Sequence, residues 1–559
     1  MSERALFRSG GSGDRFALPR PSRFGGLFAA APPPSSAEPP FRFSEKAAFG
    51  LLLLAALLAR LVPVLFVPSM VWPDEIFQAT EQAHRLVYGT GIEPWEFELA
   101  VRSWLLPGAI AGLMELARLF GEGPRIYLPV IAVAFAALAA APVACAYLWA
   151  RRFYGVAAAF VAGAAVAAAP EVVYFAGRTL SEAVSGNLLL VALYLLEPGY
   201  APLSRGRLVA AGALFALVFA LRIELAPALA AIGLWTLWKS GRERLLPLLA
   251  GAALVLLAVG LLDGLTLGYP FASLWRYVID NAQVSSTFGV KPWDFYFLLE
   301  YGVWGMAIAL PLLLAALGAR RTPLLALCAL LILLSHMAVP HKEYRFVYPA
   351  ILLVAVLAGL GLGECARLGA ASLRQHGRRA GVAALVSSAA AVLPWLLIAG
   401  RVWAAPNMTA LRYRDHDFLL AASFVANGPD PCGIAVYARV KNIWGASGGY
   451  TYLQKPVPLY WPKDRKALLA DGRAFDTLVY LRPSPALPQY KTAQCFGTVC
   501  VARRSGLCRP RPMAAMPVPR PLIPLAKAEN IPVPRSASGR RRRLDRATEV
   551  LRRNRDRRE

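Results

Sequence analysis

The stretch "AAFGLLLLAALLARLVPVLFV" (Ala47–Val67) is followed almost at once by "VWPDEIFQATEQAHRLVYGTGIEPWE" (Val71–Glu96). The first stretch is an apolar run with a single Arg, long enough to cross a bilayer as one helix. The second is rich in carboxylates, and charge so close to a membrane is costly unless it is solvated, paired or bound. Together they predict a membrane span that leads into either a solvated loop or a functional site.

The same apolar character extends along most of the chain. Of the 559 residues, 57% are hydrophobic and only 17% are charged, whereas about a quarter of the residues in a soluble domain are charged. The fold class predicted is therefore an all-α polytopic membrane protein with about eleven transmembrane helices. The predicted spans are 46–67, 125–150, 156–175, 179–196, 207–223, 225–240, 243–268, 295–317, 322–339, 346–367 and 380–400. Segment 105–120 is predicted to be an interfacial or re-entrant helix.

Basic residues outnumber acidic ones, 60 Lys and Arg against 34 Asp and Glu, which gives a formal net charge of +26. Such an excess can indicate nucleic-acid binding. Here the basic residues lie mostly in short loops and in the two tails, a pattern that membrane topology explains more simply. A cytoplasmic N-terminus puts the Arg-containing loops inside and the acidic and aromatic loops, including Val71–Glu96, outside. Nucleic acid is therefore not an expected partner.

The domain boundaries follow from shifts in composition. Residues 1–45 are rich in Pro, Gly, Ser and Arg and are predicted to be a disordered leader. Residues 46–400 form the transmembrane domain, with 68–124 as a large first outer loop. In 401–510 the short β-type runs "CGIAVYA" and "AFDTLVYLRP" predict a small α/β extramembrane domain. The basic tail, 511–559, is predicted to be disordered.

Four of the seven cysteines lie in this small domain: Cys432, Cys495, Cys500 and Cys508. Such clustering is typical of disulfides formed in an oxidising compartment. The sequence leaves their pairing open.

Two neighbouring carboxylates, Asp74 and Glu75, are the first candidates for chemistry. A helix that starts near Pro73 would place Asp74, Gln78 and Glu81 on one face. One interpretation is structural, with Asp74 as the N-cap of a solvated amphipathic helix. The other is a carboxylate-lined site on the face where a lipid-linked substrate enters.

The stretch "HKEYRFVYP" gathers the cations His341, Lys342 and Arg345 between two predicted spans. Interfacial anchoring, with long side chains reaching the headgroups, is one explanation. A cation cluster beside aromatic residues is also what binding of a lipid phosphate at the interface requires.

Weaker candidates occur in "SSTFGVKPWDFYF", which contains Trp293, in "GRTLSE" and in "LRIELAP", which contains Arg222. Aromatic anchoring or simple ion pairs would also explain these stretches. The sequence has no P-loop, HExxH, EF-hand or CxxC motif, and its five histidines are widely spread. No cofactor is expected, and no compact ligand set indicates a divalent metal.

Several of these stretches, in this order, resemble one family: "PDEIFQATEQAH…GTGIEPWE…RSWLLP", "GRTLSE", "FGVKPWDFYF" and "HKEYRFVYP". They are similar to signatures of the family 22 glycosyltransferases, polytopic α-mannosyltransferases, in particular those that add the third mannose of GPI anchors. The resemblance covers about Lys46 to Gly400. It implies a GT-C fold with the active site in the first outer loop, a polyprenyl-phosphate sugar donor, usually of mannose, and transfer with inversion to give an α-linkage.

The resemblance also implies roles for individual residues. Asp74 matches the acidic position expected to act as the catalytic base, with Glu75 beside it. The cations that would bind the donor phosphate are His341, Lys342, Arg345 and, less strongly, Arg222. The residues that would bind substrate are Gln78, Trp95, Glu96, Arg102 and Trp293.

Two features of the sequence bear on the identity of the acceptor. Lys291 and Asp294 stand where the eukaryotic members commonly have histidines around Pro-Trp, and the Ala, Arg and Gly rich composition is typical of a high-GC bacterium. The prediction is a lipid-linked or envelope glycan acceptor, at the periplasmic face of a bacterial inner membrane. The alternative function is a transporter or flippase of lipid-linked sugars, which usually has charges near the bilayer midplane and internal repeats.

Overall fold

The computed structural model describes residues 44–197, 204–439 and 443–528, apart from 484, 486, 507, 514, 515 and 517. Within these ranges, helix covers every predicted span. Up to residue 404, the α-helices are α1 (Glu45–Phe66), α2 (Glu81–Tyr88), α3 (Trp95–Glu98), α4 (Leu105–Arg118), α5 (Pro124–Tyr154), α6 (Val156–Ala168), α7 (Pro170–Phe175), α8 (Ser181–Leu196), α9 (Arg205–Leu221), α10 (Ala226–Ser240), α11 (Arg242–Leu267), α12 (Ala272–Val284), α13 (Phe295–Trp304), α14 (Ala309–Ala319), α15 (Pro323–Ala338), α16 (Tyr348–Gln375) and α17 (Ala380–Ala404).

Among the described residues, six helical segments are long and apolar enough to cross a membrane: Glu45–Phe66, Pro124–Tyr154, Arg242–Leu267, Phe295–Ala319, Tyr344–Gln375 and Ala380–Ala404. The chain is therefore a multi-pass membrane protein. The other predicted spans are matched by shorter helices, such as α8 and α15. The predicted span 156–175 is divided into α6 and α7 because Pro170 lacks the N–H that would continue the helix.

A buried arginine of α1 compensates for this helix break. Pro170 leaves the carbonyl of Val166 without its helical donor, and the Arg60 guanidinium donates to that carbonyl at 3.4 Å and to the carbonyl of Ala167 at 3.2 Å. It also donates to the carbonyl of Ala139 on α5 at 3.1 Å. Arg60 therefore connects α1 to α5 and to the end of α6 through backbone carbonyls, which supply acceptors for its buried guanidinium.

Helix α16 runs through the centre of the bundle and packs on α5, α6, α8, α14, α15 and α17. Its contact with α14 depends on glycine. A Cβ atom at Gly361 would lie 2.0 Å from the carbonyl oxygen of Leu314, and one at Gly318 would lie 2.1 Å from that of Leu357. The two backbones therefore approach as closely as in other small-residue helix contacts of membrane proteins.

The C-terminal region forms the small α/β domain that the sequence predicts. Its strands are β1 (Ile434–Tyr437), β2 (Leu459–Tyr460), β3 (Thr477–Leu481), β4 (Lys491–Phe496) and β5 (Val499–Arg503). Its helices are α18 (Pro406–Arg412), α19 (His416–Ala426), α20 (Gly449–Leu453), α21 (Arg465–Asp471) and α22 (Ile523–Ala528). The strand order is β2-β1-β3-β5-β4, with β1 parallel to β2 and β3, and β5 antiparallel to β3 and β4.

The disulfides left open by the sequence pair Cys432 with Cys508 and Cys495 with Cys500. The first joins the start of β1 to the segment that follows β5. The second closes the β4–β5 hairpin, where the two cysteines are partners in the strand register.

The C-terminal domain docks on the first loop, residues 68–124. Ile76 and Phe77 of the loop are buried with Phe418 and Leu419 of α19 and with Ile434 of β1 in one apolar cluster. The loop and the domain therefore share a core at one end of the helix bundle.

The predicted boundary of the disordered tail at residue 511 is too early. Val518, Leu522 and Ala526 are buried against Trp95 and Leu99 of the first loop. The apolar spacing of these three residues was obscured by the Pro and Arg rich composition around them. The rest of the predicted tail, from residue 529, and residues 1–43 of the leader lie outside the described residues.

Replacing Gly361 by Ala tests the central helix contact. The added Cβ must push α14 and α16 apart, so we expect the variant to lose about 1–3 kcal/mol of stability. Gly233→Ala in the interior of α10 is the matched control, since nothing lies within 4 Å of its added Cβ. The measurement is the thermal unfolding midpoint of the detergent-solubilised protein. Equal midpoints for the two variants would contradict the close approach.

Candidate active site

Directly after the acidic pair, the helix contains one wide turn. Residues Ile76–Thr80 form a π-helical turn that continues into α2, and such turns are frequent at functional sites. The extra residue shifts the helical register, so the predicted common face of Asp74, Gln78 and Glu81 is wrong in part. Asp74 and Gln78 line one cavity, whereas the Glu81 carboxylate faces the C-terminal domain and accepts hydrogen bonds from the Tyr450 and Thr451 amides at 3.0 and 2.8 Å.

The buried guanidinium of Arg345 joins the two main sequence motifs. Its Nη2 donates a short hydrogen bond to Oδ2 of Asp74. Its Nε donates to Glu343 at 2.7 Å, and its Nη1 lies 3.6 Å from Oε1 of Glu182 in α8. Three carboxylates from distant parts of the chain therefore surround one cation. The side chains of Asp74 and Glu343 are partly exposed, whereas that of Glu182 is buried.

Asp74 and Arg345 border an open cavity of about 60 Å³. Polar and charged side chains make up much of the wall that the structure describes. These are Asp74, Gln78, Arg102, Ser103, Thr179, Ser181, Glu182, Glu224, Ser273, Tyr277 and Arg345. The cavity therefore offers carboxylates and hydroxyls for a sugar together with cations for a phosphate.

The second carboxylate of the pair, Glu75, points away from this cavity. It is 5% exposed and lies 3.4 Å from Nη1 of Arg178, while its Oε1 accepts from the Val71 amide at 3.2 Å. Burial raises the pKa of Glu75, and the Arg178 charge opposes that effect. Glu75 therefore holds the loop against Arg178 and leaves Asp74 as the carboxylate of the pair that faces the cavity.

A third carboxylate, that of Glu96, lies near Asp74. Oε1 of Glu96 accepts a hydrogen bond from the Gln78 amide at 2.8 Å, and its Oε2 is buried without a partner among the described residues. Burial, and to a lesser extent the negative charge of Asp74, raise the pKa of Glu96 to about 7. Near neutral pH Glu96 is therefore partly protonated, which limits the charge repulsion around Asp74.

The structure brings only part of the predicted donor-phosphate set to the cavity. Arg345 lines it, and Arg222 lies behind it, 3.3 Å from Glu182. The Lys342 ammonium donates instead to the carbonyls of Val339 and Lys291. His341 pairs with Glu343 at 3.2 Å, and that hydrogen bond raises the pKa of His341. Neither His341 nor Lys342 is among the described residues that line the cavity.

The predicted substrate-binding residues also divide into two groups. Gln78 and Arg102 line the cavity, and Glu96 contacts it through Gln78. Trp95 is a packing residue, 8% exposed in the cluster that it forms with Leu522 and its neighbours. Trp293 is 66% exposed and is not among the described residues of the cavity wall.

One wall of the cavity comes from residues that the sequence did not single out. The Tyr277 hydroxyl of α12 donates a short hydrogen bond to Glu224, and the Arg102 guanidinium lies 4.8 Å from the centre of the Tyr277 ring. Asp263 in α11 accepts from the hydroxyls of Ser103 at 3.1 Å and Ser273 at 2.6 Å. The one available signal was Asp263 itself, a carboxylate in an otherwise apolar span.

Within the described residues, Cys432, Asp476 and Cys508 form the one group of three side chains whose ligand atoms are close enough to hold a metal ion. The two cysteines are joined as a disulfide, and the group lies in the C-terminal domain rather than at the cavity.

Glu96→Gln tests the protonation of Glu96. A carboxyl whose pKa is raised in the folded state, from 4.5 to about 7, lowers stability as the pH rises between these values. Gln does not ionise and keeps an acceptor for Gln78. The variant should therefore gain stability over the wild type from pH 4.5 to 7, by roughly 3 kcal/mol at most, and the gain should be constant above pH 7.

The unfolding midpoint of the variant is compared with that of the wild type at pH 5 and again at pH 8. Other buried carboxyls titrate equally in both proteins and cancel. The exposed Glu115 on α4 provides the control Glu115→Gln, which removes a carboxylate far from Asp74. A difference for Glu96→Gln that is the same at both pH values would show that Glu96 is ionised throughout.

The chain is similar in sequence to curated mannosyltransferases. The chain is 30% identical over 311 residues to GPI mannosyltransferase 3 of Yarrowia lipolytica, covering 54% of this chain and 59% of that protein. It is 27% identical over 330 residues to the human GPI alpha-1,2-mannosyltransferase 3, covering 56% and 57%. These matches therefore span under three-fifths of the length of either relative.

Among solved structures, ArnT from Cupriavidus metallidurans bound to undecaprenyl phosphate superposes with a TM-score of 0.54 at 16% identity, covering 83% of this chain and all of that one. This likeness confirms the predicted GT-C fold. The model of the Alg9-like mannosyltransferase family matches residues 51–412, which include both halves of the Asp74–Arg345 contact. This chain belongs to the Alg9-like mannosyltransferase family.

Proposed function

We propose that the protein is an inverting mannosyltransferase that moves a mannosyl residue from a polyprenyl-phosphate donor to a lipid-linked or envelope glycan, forming an α-linkage. The observation that carries the proposal is the contact between Asp74 and Arg345 at the wall of the first cavity. It places a carboxylate that can accept a proton beside a cation that can meet a phosphate. Family membership supplies the class of sugar.

In the proposed reaction, Asp74 takes the proton of the acceptor hydroxyl as the oxygen attacks the anomeric carbon. The bond between that carbon and the donor phosphate breaks on the opposite face, which inverts the configuration. Arg345 stabilises the negative charge that grows on the leaving phosphate, with Arg102 and Arg222 nearby. Glu96, in its neutral form, keeps Gln78 oriented without adding a second negative charge beside Asp74.

The identity of the substrates rests on the relatives and on topology. The names of the two GPI mannosyltransferases support a mannosyl donor and a lipid-linked acceptor. ArnT shares the fold and was solved with undecaprenyl phosphate, which supports a polyprenyl carrier for the donor. The distribution of basic loops supports an active site on the outer face, which is the periplasmic face if the protein is bacterial.

Asp74→Asn tests the catalytic base. Asn keeps the size of the side chain and an oxygen for Arg345 but cannot accept the proton, so we expect transfer to fall at least about 100-fold while donor binding remains. Asp430→Asn is the matched control, because Asp430 is 88% exposed on the C-terminal domain. The assay measures mannose transfer from polyprenyl-phosphate mannose to lipid extracts, with mass spectrometry of the product. Unchanged transfer by Asp74→Asn would exclude Asp74 as the base.

We further propose that transfer does not require a divalent metal, since Arg345, Arg102 and Arg222 already supply positive charge around the expected phosphate position. Activity should persist in excess EDTA. Activity that is lost in EDTA and restored by one added cation would overturn this proposal.

A further inference from the structure

A second cavity, of about 460 Å³, lies on the other side of the Asp74–Glu75 pair. Glu75 lines this cavity, Asp74 lines the first, and Thr179 lines both. Its walls come from the end of α1, the start of α5, the segment after α7, and the C-terminal domain. The acidic pair thus divides two spaces that could hold two different molecules.

The charged residues that line the second cavity, within the described part of the chain, are Glu75, Arg125, Arg178 and Arg412. Arg178 is paired with Glu75 and with Ser69, but its buried Nε has no hydrogen-bond partner among the described residues. Three cations against one carboxylate leave the wall with net positive charge, which favours an anionic ligand.

Arg412 carries part of this excess. Its guanidinium lies 4.4 Å from the centre of the Trp403 ring, and its Nη2 donates to the Thr409 hydroxyl at 3.2 Å. Its Nε is buried without a partner, and no carboxylate within salt-bridge distance of Arg412 is found in the part of the chain that the structure describes. A buried donor of this kind is costly unless a ligand or water satisfies it.

The rest of the wall is mostly apolar. It includes Leu65 and Phe66 at the end of α1, which are 39% and 74% exposed. Because α1 is one of the helices that can cross the membrane, this side of the cavity borders the lipid. A ligand that fits has an anionic head and a long apolar chain, which is the chemistry of a lipid phosphate.

We propose that the second cavity binds the phosphate-bearing head of the lipid-linked acceptor, with Arg412 and Arg178 as its anion-binding residues. The C-terminal domain contributes Ser423 and Tyr452 to the wall, and both residues lie beyond the family match, which ends at residue 412. This domain therefore determines acceptor selectivity. The inference rests on the proposed function only in naming the ligand an acceptor, because the phosphate-lipid site can be tested without transfer.

The first experiment measures occupancy alone. Ser423→Cys in the second cavity and Ser181→Cys in the first are each made in a Cys365→Ser background, which removes the exposed free cysteine. Maleimide labelling of the purified protein is followed with dodecyl phosphate or dodecanol as the probe. We expect dodecyl phosphate, but not dodecanol, to protect the cysteine at 423, whether or not the one at 181 is protected. Absence of protection at 423 overturns the site, even if mannose transfer is confirmed.

The second measurement assigns the anion-binding residue. In the Ser423→Cys protein, Arg412→Gln should raise the dodecyl phosphate concentration needed for protection about tenfold, since it removes a charge-assisted contact. Arg414→Gln is the matched control, because Arg414 has a 67% exposed side chain and does not line the cavity. An equal effect of both substitutions would show a general charge effect and would overturn the assignment of Arg412.

The third measurement separates acceptor from donor. Once mannose transfer can be measured, Arg412→Gln should raise the KM for the acceptor about tenfold and leave the KM for the polyprenyl-phosphate sugar unchanged. A rise in the donor KM alone would place the donor in the second cavity and overturn the acceptor assignment. If no transfer is found while protection at 423 persists, the proposed function fails and the phosphate-lipid site stands.

Discussion

The architecture of the site depends on the requirement that the buried Arg345 guanidinium be compensated. A cation 6% exposed is tolerated only with close carboxylates, because removing charge from water costs several kcal/mol. Asp74, Glu182 and Glu343 meet this need from the first loop, from α8 and from the residues just before α16. The loop that carries the proposed base is thereby fixed to the end of the helix bundle.

Further ion pairs extend outward from Arg345. Glu182 also lies 3.3 Å from Arg222, and Arg222 lies 3.1 Å from Glu224. The result is a chain of alternating charges along the cavity wall rather than isolated ion pairs. In such a network the loss of one member leaves its neighbours uncompensated, so these residues act as a unit.

Glu81 connects the loop to the C-terminal domain. Its carboxylate is fully buried and accepts four hydrogen bonds, from the amides of Ile92, Tyr450 and Thr451 and from the Thr451 hydroxyl. Because Glu81 follows the acidic pair within one helical segment, the domain directly influences where Asp74 and Glu75 point. The domain therefore supports the loop that carries the site, although it lies almost entirely outside the family match.

The sequence by itself determined the membrane architecture. The lengths of the apolar runs placed the helices, and the strand-like stretches placed the small α/β domain, because these features follow from local patterns and from the thickness of a bilayer. The motif resemblance also singled out Asp74 and Arg345, which the structure places on one cavity wall. Both are recognisable because charge near a span is rare.

Only the tertiary structure decided how side chains from distant segments divide between the two cavities. A single extra residue in the turn at Ile76–Thr80 directed Glu81 to the C-terminal domain, and the chain direction after Pro340 placed Lys342 against backbone carbonyls. Tyr277 lines the wall beside Glu224, and Asp263 binds the lining residue Ser103, through contacts between segments far apart in sequence. No local pattern encodes such contacts, since they depend on how the helices pack.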